Sequence, residues 1–268
     1  GTKRSIDPVL RRDEATSQKS VYSPHKHHPR FRIMNAPKII RHVPAGQICC
    51  DPEWEAAYER FETPAEEIDK FLRRLRRFGF EELDRETKIM EIFCGRGNGL
   101  IALERLGFRN VEGADLSDTL LEKFEGKATL HLADCMSMPF QDQAYDVVIV
   151  QGGLHHLPKL PDDVDTCLRE VRRILRPDGR FYVVEPWRTP FLTFAHAVVE
   201  RPLMRRLYAK GDALAAMTDR ERVTYEQWLG APKEILKIFE SHFAPIQWTT
   251  SWGKLTYVGK PRPEATTN

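Results

Sequence analysis

Three short runs in this chain carry residue types that can hold a polar ligand. The first, EIFCGRGNG at 91 to 99, sets Gly95, Gly97 and Gly99 between a strand-like run and a helical one. Such a turn lets the backbone approach a ligand closely and aims helix N-terminal N–H groups at it. Its spacing is not the G-x-G-x-x-G of a dinucleotide loop, and Glu91 fits poorly beside a pyrophosphate. The second run ends at Asp115, about one βα unit later, where Rossmann-type folds place a carboxylate to accept from ribose hydroxyls. The third is LADCMSMPF, in which Asp134 can accept from an exocyclic adenine amine. Either acid alone reads as a turn residue at a strand end. Placed with the glycines at the C-terminal edges of three successive strands, they read as the ligand edge of an open α/β sheet.

Regular elements must carry these residues. From residue 88 short apolar runs alternate with helical segments, the signature of βαβ units and a parallel sheet. The strands expected are KIMEIF (88 to 93), NVEGAD (110 to 115), ATLHLA (128 to 133), YDVVIV (145 to 150) and RFYVVE after the PDG turn at 177 to 179. GLIALERLG (99 to 107) reads as the first crossover helix. The helix from 161 to 175 begins with Asp162 and Asp163 and ends with Arg172, Arg173 and Arg176, which suits the macrodipole. Ahead of this core, Thr63, Pro64 and Glu66 form a capping box for a helix carrying Ile68, Phe71, Leu72 and Leu75, stopped by Gly79. Residues 189 to 229 interrupt the alternation with amphipathic helical sequence broken by Pro202 and Gly211, an expected inserted cap. A helix over 231 to 243 and two strands joined near Gly253 close the pattern, the short connection favouring an antiparallel hairpin. The domain division expected is an arm and lid segment over 1 to 62 and one α/β domain over 63 to 268.

Composition sets outer bounds. The 268 residues carry a formal net charge of +2, so nothing at the scale of the whole molecule demands nucleic acid or an anionic membrane. The charge is uneven: residues 1 to 42 hold ten Lys and Arg against three acids, which leaves the remainder mildly acidic. No apolar run approaches the roughly 20 residues that span a bilayer, and the first residues lack an apolar signal core. Five cysteines without a CxxC pair make a poor disulfide framework, so reduced thiols and a cytoplasmic location are expected.

Together, EIFCGRGNG, VEGADLS, LADCMSMPF, YDVVIVQGGLHHL and LREVRRILRPDGRFYVVEP resemble, in order, the successive motifs of class I, Rossmann-like S-adenosylmethionine-dependent methyltransferases. The resemblance implies a seven-stranded, mostly parallel sheet with helices on both faces and a reversed last strand. It also implies S-adenosyl-L-methionine as cofactor, its methionine end over the Gly95 to Gly97 turn, its ribose on Asp115 and its adenine beside Asp134 and Cys135. Glu91, Phe93, Cys94, Leu116, Met136 and Gln151 complete the expected cofactor set. One departure stands out, because Phe93 occupies a place where the family usually has Gly. The sulfonium already activates the methyl group, so the protein must chiefly hold an acceptor in line and exclude water. Where the acceptor loses a proton, the candidate bases are His155 and His156 in QGGLHHLP, and Glu185. His155 is expected to contribute to turnover more than His156, which relatives use to brace the loop. Trp187, Arg205 and Arg206 are the candidate acceptor contacts, the arginines suiting an anionic group.

The expected partner is a small-molecule acceptor of sugar, nucleotide-sugar or natural-product type, methylated on O, N or C, with no metal and no membrane. A nucleic-acid methyltransferase is the nearest rival, encouraged by the basic arm. It is disfavoured because Gln151 to Leu154 replaces the Pro-Pro-aromatic loop that holds a flipped base. A metal-dependent catechol-type enzyme is disfavoured because the fourth strand ends in Gln151 rather than a carboxylate. An NAD dehydrogenase and a non-catalytic scaffold that merely binds the cofactor are the remaining alternatives.

Overall fold

The computed structural model describes residues 37 to 46, 51 to 199 and 209 to 263, all within the compact unit Asn35–Asn268. The apolar runs become β2 (Lys88–Ile92), β3 (Asn110–Asp115), β4 (Thr129–Leu132), β5 (Tyr145–Gln151) and β6 (Leu175–Pro186). All five are mutually parallel, in the order β4-β3-β2-β5-β6. The chain leaves β2 toward β3 and later returns to β5 on its other side. That makes the C-terminal end of β2 the point where the strand order reverses, and such a point opens a crevice in a doubly wound sheet.

The last two strands, β7 (Phe243–Ser251) and β8 (Lys254–Pro261), form the expected antiparallel hairpin, and β8 inserts between β6 and β7 running opposite to β6. The seven strands anticipated are therefore present, with the last reversed. An eighth corrects the count: β1 (Ile39–Arg41), in the segment expected to be an arm, pairs parallel with β4 at the sheet edge. Three residues are too few to show a period, which is why this strand is silent in sequence.

Helices cover both faces. On one, α2 (Pro64–Arg77) and α3 (Asn98–Arg105) bury Phe71, Leu75, Leu100 and Leu103 against Ile89, Leu130 and Ile149. On the other, α5 (Asp162–Ile174) and α9 (Pro232–His242) bury Leu168, Val171 and Phe239 against Val148, Val150 and Phe181. The capping box of α2 forms as expected: Glu66 N–H donates to Thr63 Oγ1 at 3.3 Å and Thr63 N–H to Glu66 Oε2 at 2.9 Å. Asp118–Leu121 makes the one-turn α4 after β3.

Two further regions lie outside the regular alternation. Before α2, α1 (Pro52–Phe61) is capped by Asp51, which accepts from the backbone N–H of Glu53 and Trp54. After β6 come α6 (Pro190–Val199), α7 (Ala209–Arg220) and α8 (Arg222–Gly230), the inserted cap. Gly211 was expected to break this segment but lies inside α7. A helix tolerates one glycine at a cost of about 1 kcal/mol. Pro202 falls outside the described residues.

Candidate active site

A cavity of about 520 Å³ opens over the C-terminal ends of β2, β3, β4 and β5. That volume suits a small molecule or cofactor. The residues after β2 make its floor. Gly95 (φ +52°) and Gly97 (φ +76°) both take left-handed conformations, and a Cβ on Gly97 would meet the Phe124 ring at 2.2 Å. Phe93 also has positive φ, +57°. It thus adopts the backbone conformation that glycine, the residue usual in the resembled family, takes without strain, and for a bulky residue this costs on the order of 1 to 2 kcal/mol. Its ring packs where a Cβ on Gly153 would stand, 2.3 Å from Cγ.

Asp115 fastens this loop from the next strand, its Oδ2 accepting from Gly95 N–H at 2.8 Å and its Oδ1 from Ser117 N–H at 2.9 Å. Burial raises its pKa while those backbone donors lower it. Asp134 accepts from Met136 N–H at 2.9 Å. Phe93, Cys94, Gly95, Asp115, Leu116, Asp134, Cys135, Met136 and Gln151 all line the cavity, whereas Gly97 shapes the turn without facing it. The Cys94 thiol is buried, which pushes its pKa well up and leaves it un-ionised.

Glu91 lies beneath the loop, 3 % exposed, with Oε1 accepting from Gln151 Nε2 at 3.0 Å and Oε2 buried without a partner. Burial pushes its carboxyl up to about 7, the Gln151 bond pulling the other way. Gly99 has to lack a side chain, since a Cβ there would stand 2.2 Å from both Glu91 oxygens. Arg96, at the same end of the cavity, has a buried Nη2 without a partner. An unpaired carboxylate oxygen and an unpaired guanidinium N–H together suit an amino-acid zwitterion, the chemistry of a methionine end.

Sequence reasoning placed Tyr58 near this end but missed Glu67, Arg96 and Asn98, which brace it there. Glu67 of α2 is buried and accepts from Tyr58 Oη and from Asn98 Nδ2 (2.6 Å), with Arg96 Nε 3.8 Å away and stacked over the Tyr58 ring at 4.8 Å. A signal existed: Glu67 lies four residues before Phe71 and eight before Leu75, so it is an acid on the apolar stripe of its helix.

The three candidate catalytic residues separate. Glu185 is fully buried, Oε1 accepting from Gly153 and Leu154 N–H at 2.8 Å each and Oε2 from His155 Nδ1 at 2.7 Å. Neither Glu185 nor His155 is among the cavity-lining residues; together they anchor the 152 to 156 loop. His156 lines the cavity and meets the edge of Trp54 at 6.3 Å. Enclosure by the surrounding protein, with His155 beside it, holds its pKa well below the usual imidazole range. Trp187, expected to contact the acceptor, is instead buried against Trp228 at 6.0 Å, because the end of β6 points that side chain into the core. Arg205 and Arg206 lie outside the described residues.

The cover comes from both regions outside the alternation. Asp51, Trp54, Glu55, Tyr58 and Glu59 on and beside α1 line the cavity, and so do Arg220 and Glu221 at the α7 to α8 junction. Among the described residues no helix is long and apolar enough to cross a membrane.

Residues 90 to 183 match a family described as "Methyltransferase domain". A demethylmenaquinone methyltransferase of Lactobacillus johnsonii is 32% identical over 107 residues, which cover 36% of this chain and 42% of that protein. The chain thus spans about two fifths of the length of that relative. A solved protein of Pyrococcus horikoshii OT3 superposes with a TM-score of 0.58 at 18% identity, covering 80% of this chain and all of that one. One from Methanococcus maripaludis, named as a candidate S-adenosyl-L-methionine-dependent methyltransferase, gives 0.54 at 12% identity, over 83% of this chain and all of that one. At those identities the two structures speak for the fold.

Proposed function

We propose that this chain, which carries a class I, Rossmann-like methyltransferase domain, transfers the methyl group of S-adenosyl-L-methionine to a small-molecule acceptor. The observation that carries the reading is the cavity itself: at one end it has the left-handed Gly95 and the unpartnered Glu91 Oε2 and Arg96 Nη2, and at the other a histidine. Glu91 takes the cofactor ammonium, Arg96 its carboxylate and Asp115 the ribose hydroxyls, while Asp134, Cys135 and Met136 border the adenine. When bound, the cofactor supplies an already activated methyl group. The chain positions it, excludes water and orients the acceptor.

Trp54, Leu157 and Pro158 give the acceptor end apolar walls, with His156 and Glu221 as polar groups beside them. That lining favours a small, mostly apolar acceptor over a nucleic acid. It agrees in kind with the small-molecule substrate in the name of the Lactobacillus relative. Arg220 and Lys123 at the rim are committed to Asp51 and Glu55, so among the described residues they add little for an anionic acceptor. The geometry also favours His156 over His155 as the residue that meets the acceptor, since Glu185 occupies His155 from behind.

The test has two stages. Calorimetric titration should show S-adenosyl-L-methionine binding and NAD failing to bind. Methyl-labelled cofactor with a metabolite extract should then yield a labelled small molecule and S-adenosylhomocysteine. With that acceptor and metal-free protein, His156→Asn should lower kcat by roughly 10²- to 10⁴-fold, the usual general-base contribution, at little change in cofactor affinity. Full turnover by His156→Asn would remove that residue from the reaction, and absent cofactor binding would overturn the function.

A further inference from the structure

His155, His156 and Glu221 converge at the acceptor end of the cavity from two separate parts of the chain. The histidines occupy the turn Leu154–His156 after β5, and Glu221 stands at the N-terminus of α8 in the inserted cap. One ligand atom from each lies within 4.8 Å of the other two. His156 Nδ1 is 3.4 Å from Glu221 Oε1, and His155 Nε2 is 3.9 Å from Glu221 Oε2. Both separations are long for an N–H···O hydrogen bond. They are close to the spacing of about 3.3 Å that neighbouring ligands take around a tetrahedral ion with bonds near 2.0 to 2.2 Å.

The surroundings of His155 reinforce the geometry. Glu185 Oε2 accepts from His155 Nδ1, so Nδ1 carries the hydrogen and the Nε2 lone pair faces Glu221. A carboxylate behind a ligating imidazole is the usual outer-shell device that fixes tautomer and ring orientation at a metal. The Glu185 side chain is itself held by two backbone N–H groups, so the orientation is built into the loop. His156 and Glu221 line the cavity, which leaves the remaining coordination positions open toward the acceptor.

We propose that His155 Nε2, His156 Nδ1 and the Glu221 carboxylate bind one divalent first-row transition-metal ion, whose open position faces the acceptor end of the cavity. Two imidazoles and one carboxylate form the donor set of many catalytic zinc and non-haem iron sites, and imidazole disfavours magnesium and calcium. The ion ties the inserted cap to the loop after β5. Its open position takes an oxygen of water or of the acceptor. Only the naming of that oxygen as the acceptor's rests on the proposed methyl transfer; the binding of the ion does not.

The test uses the full chain and Zn²⁺, with Co²⁺ as the spectroscopic probe. The sequence also holds His25, His27 and His28 in a short run outside the described residues, so the titration is repeated with all three replaced by Asn. The expected result is one Zn²⁺ per chain in both proteins, a Co²⁺ complex with visible d–d absorption, and a metal-dependent rise in melting temperature. Glu221→Gln and His156→Asn should each weaken binding by more than the 10- to 100-fold typical of losing an outer-shell partner. Both should abolish the melting shift while melting normally without metal. Absent stoichiometric binding, binding that survives Glu221→Gln, or binding that disappears with His25, His27 and His28 would each overturn the site. Cofactor titration of the same metal-free protein keeps the two proposals apart, because it reports on the Glu91 to Asp134 end alone.

Discussion

The floor of the cavity and its cover are built by different forces. The floor, from Glu91 to Gly97 with Asp115 and Asp134, is held by backbone donors to the part-buried Asp115 carboxylate, by left-handed glycines and by a core that is fully buried at Ile89, Met90 and Ile92. The cover is held at its edges by ion pairs between side chains that are exposed or half-buried. Lys123 reaches Glu55, Arg220 reaches Asp51 and Glu53, Arg60 reaches Asp212 and Lys210 reaches Glu66. Exposed pairs contribute about 0 to 1 kcal/mol each and are screened by salt. The contrast teaches that the floor is fixed by buried and backbone contacts, whereas the cover, apart from Tyr58 against Glu67 and Arg96, is tied down at its rim by pairs that salt can loosen.

Breaking the floor should have the largest effect. Gly97→Ala forces a Cβ into Phe124 at a left-handed position, so a loss of about 2 to 4 kcal/mol of stability is expected, the sum of overpacking and backbone strain. Denaturant unfolding measures it, and cofactor affinity should fall with it. An unchanged melting curve would mean that the turn is not rigid.

Asp115→Ala comes next. Losing hydrogen bonds to a charged group should weaken cofactor binding by about 1.5 to 3 kcal/mol in calorimetry, in a protein that still folds. Unchanged affinity would remove Asp115 from the ribose site.

Glu91 sharpens the comparison through pH. Its carboxyl is raised to about 7 from the 4.5 usual for glutamate, so its contribution to stability is complete below about pH 4.5 and lost as pH rises through 7. For a shift of that size the loss is on the order of 3 kcal/mol. Cofactor affinity should run the other way, rising toward pH 7 as the carboxylate becomes available to an ammonium. Glu91→Gln should flatten both profiles; a pH-dependent affinity that survives the substitution would assign the effect to another group.

The smallest effect belongs to the cover. Arg220→Ala removes pairs to Asp51 and Glu53 and should change stability by less than about 1 kcal/mol, with a difference from wild type that shrinks in high salt. A loss several times larger would show that the cover is as firmly held as the floor.

The same contrast explains what could be read beforehand. The floor was legible because its constraints are local: a glycine needed for a left-handed turn stands in the turn, Asp115 is the last residue of its strand and Asp134 lies two residues past the end of its own. The capping box at Thr63 and the antiparallel hairpin at Gly253 were legible for the same reason. Arg96 was not, because nothing local distinguishes it from a surface charge until α1 and α2 enclose it, and Glu67 left only the weaker sign of an acid on the apolar stripe of its helix. The ranking of His155 above His156, and the acceptor contact expected of Trp187, rested on position along the chain alone, whereas adjacent residues in a short turn, or at a strand end, part according to what packs behind them.

The sequence by itself determined the alternation of strands and helices, the glycine turn and the two acids at successive strand ends, because hydrophobic period and backbone conformation act within a few residues. Only the tertiary structure decided that β1 joins the sheet, that Glu185 turns inward to hold His155, and that Glu221 crosses from the cap to within 3.4 Å of His156. Those pairings join segments some 30 to 90 residues apart, and their distances follow from how the layers pack, a quantity that no local pattern encodes.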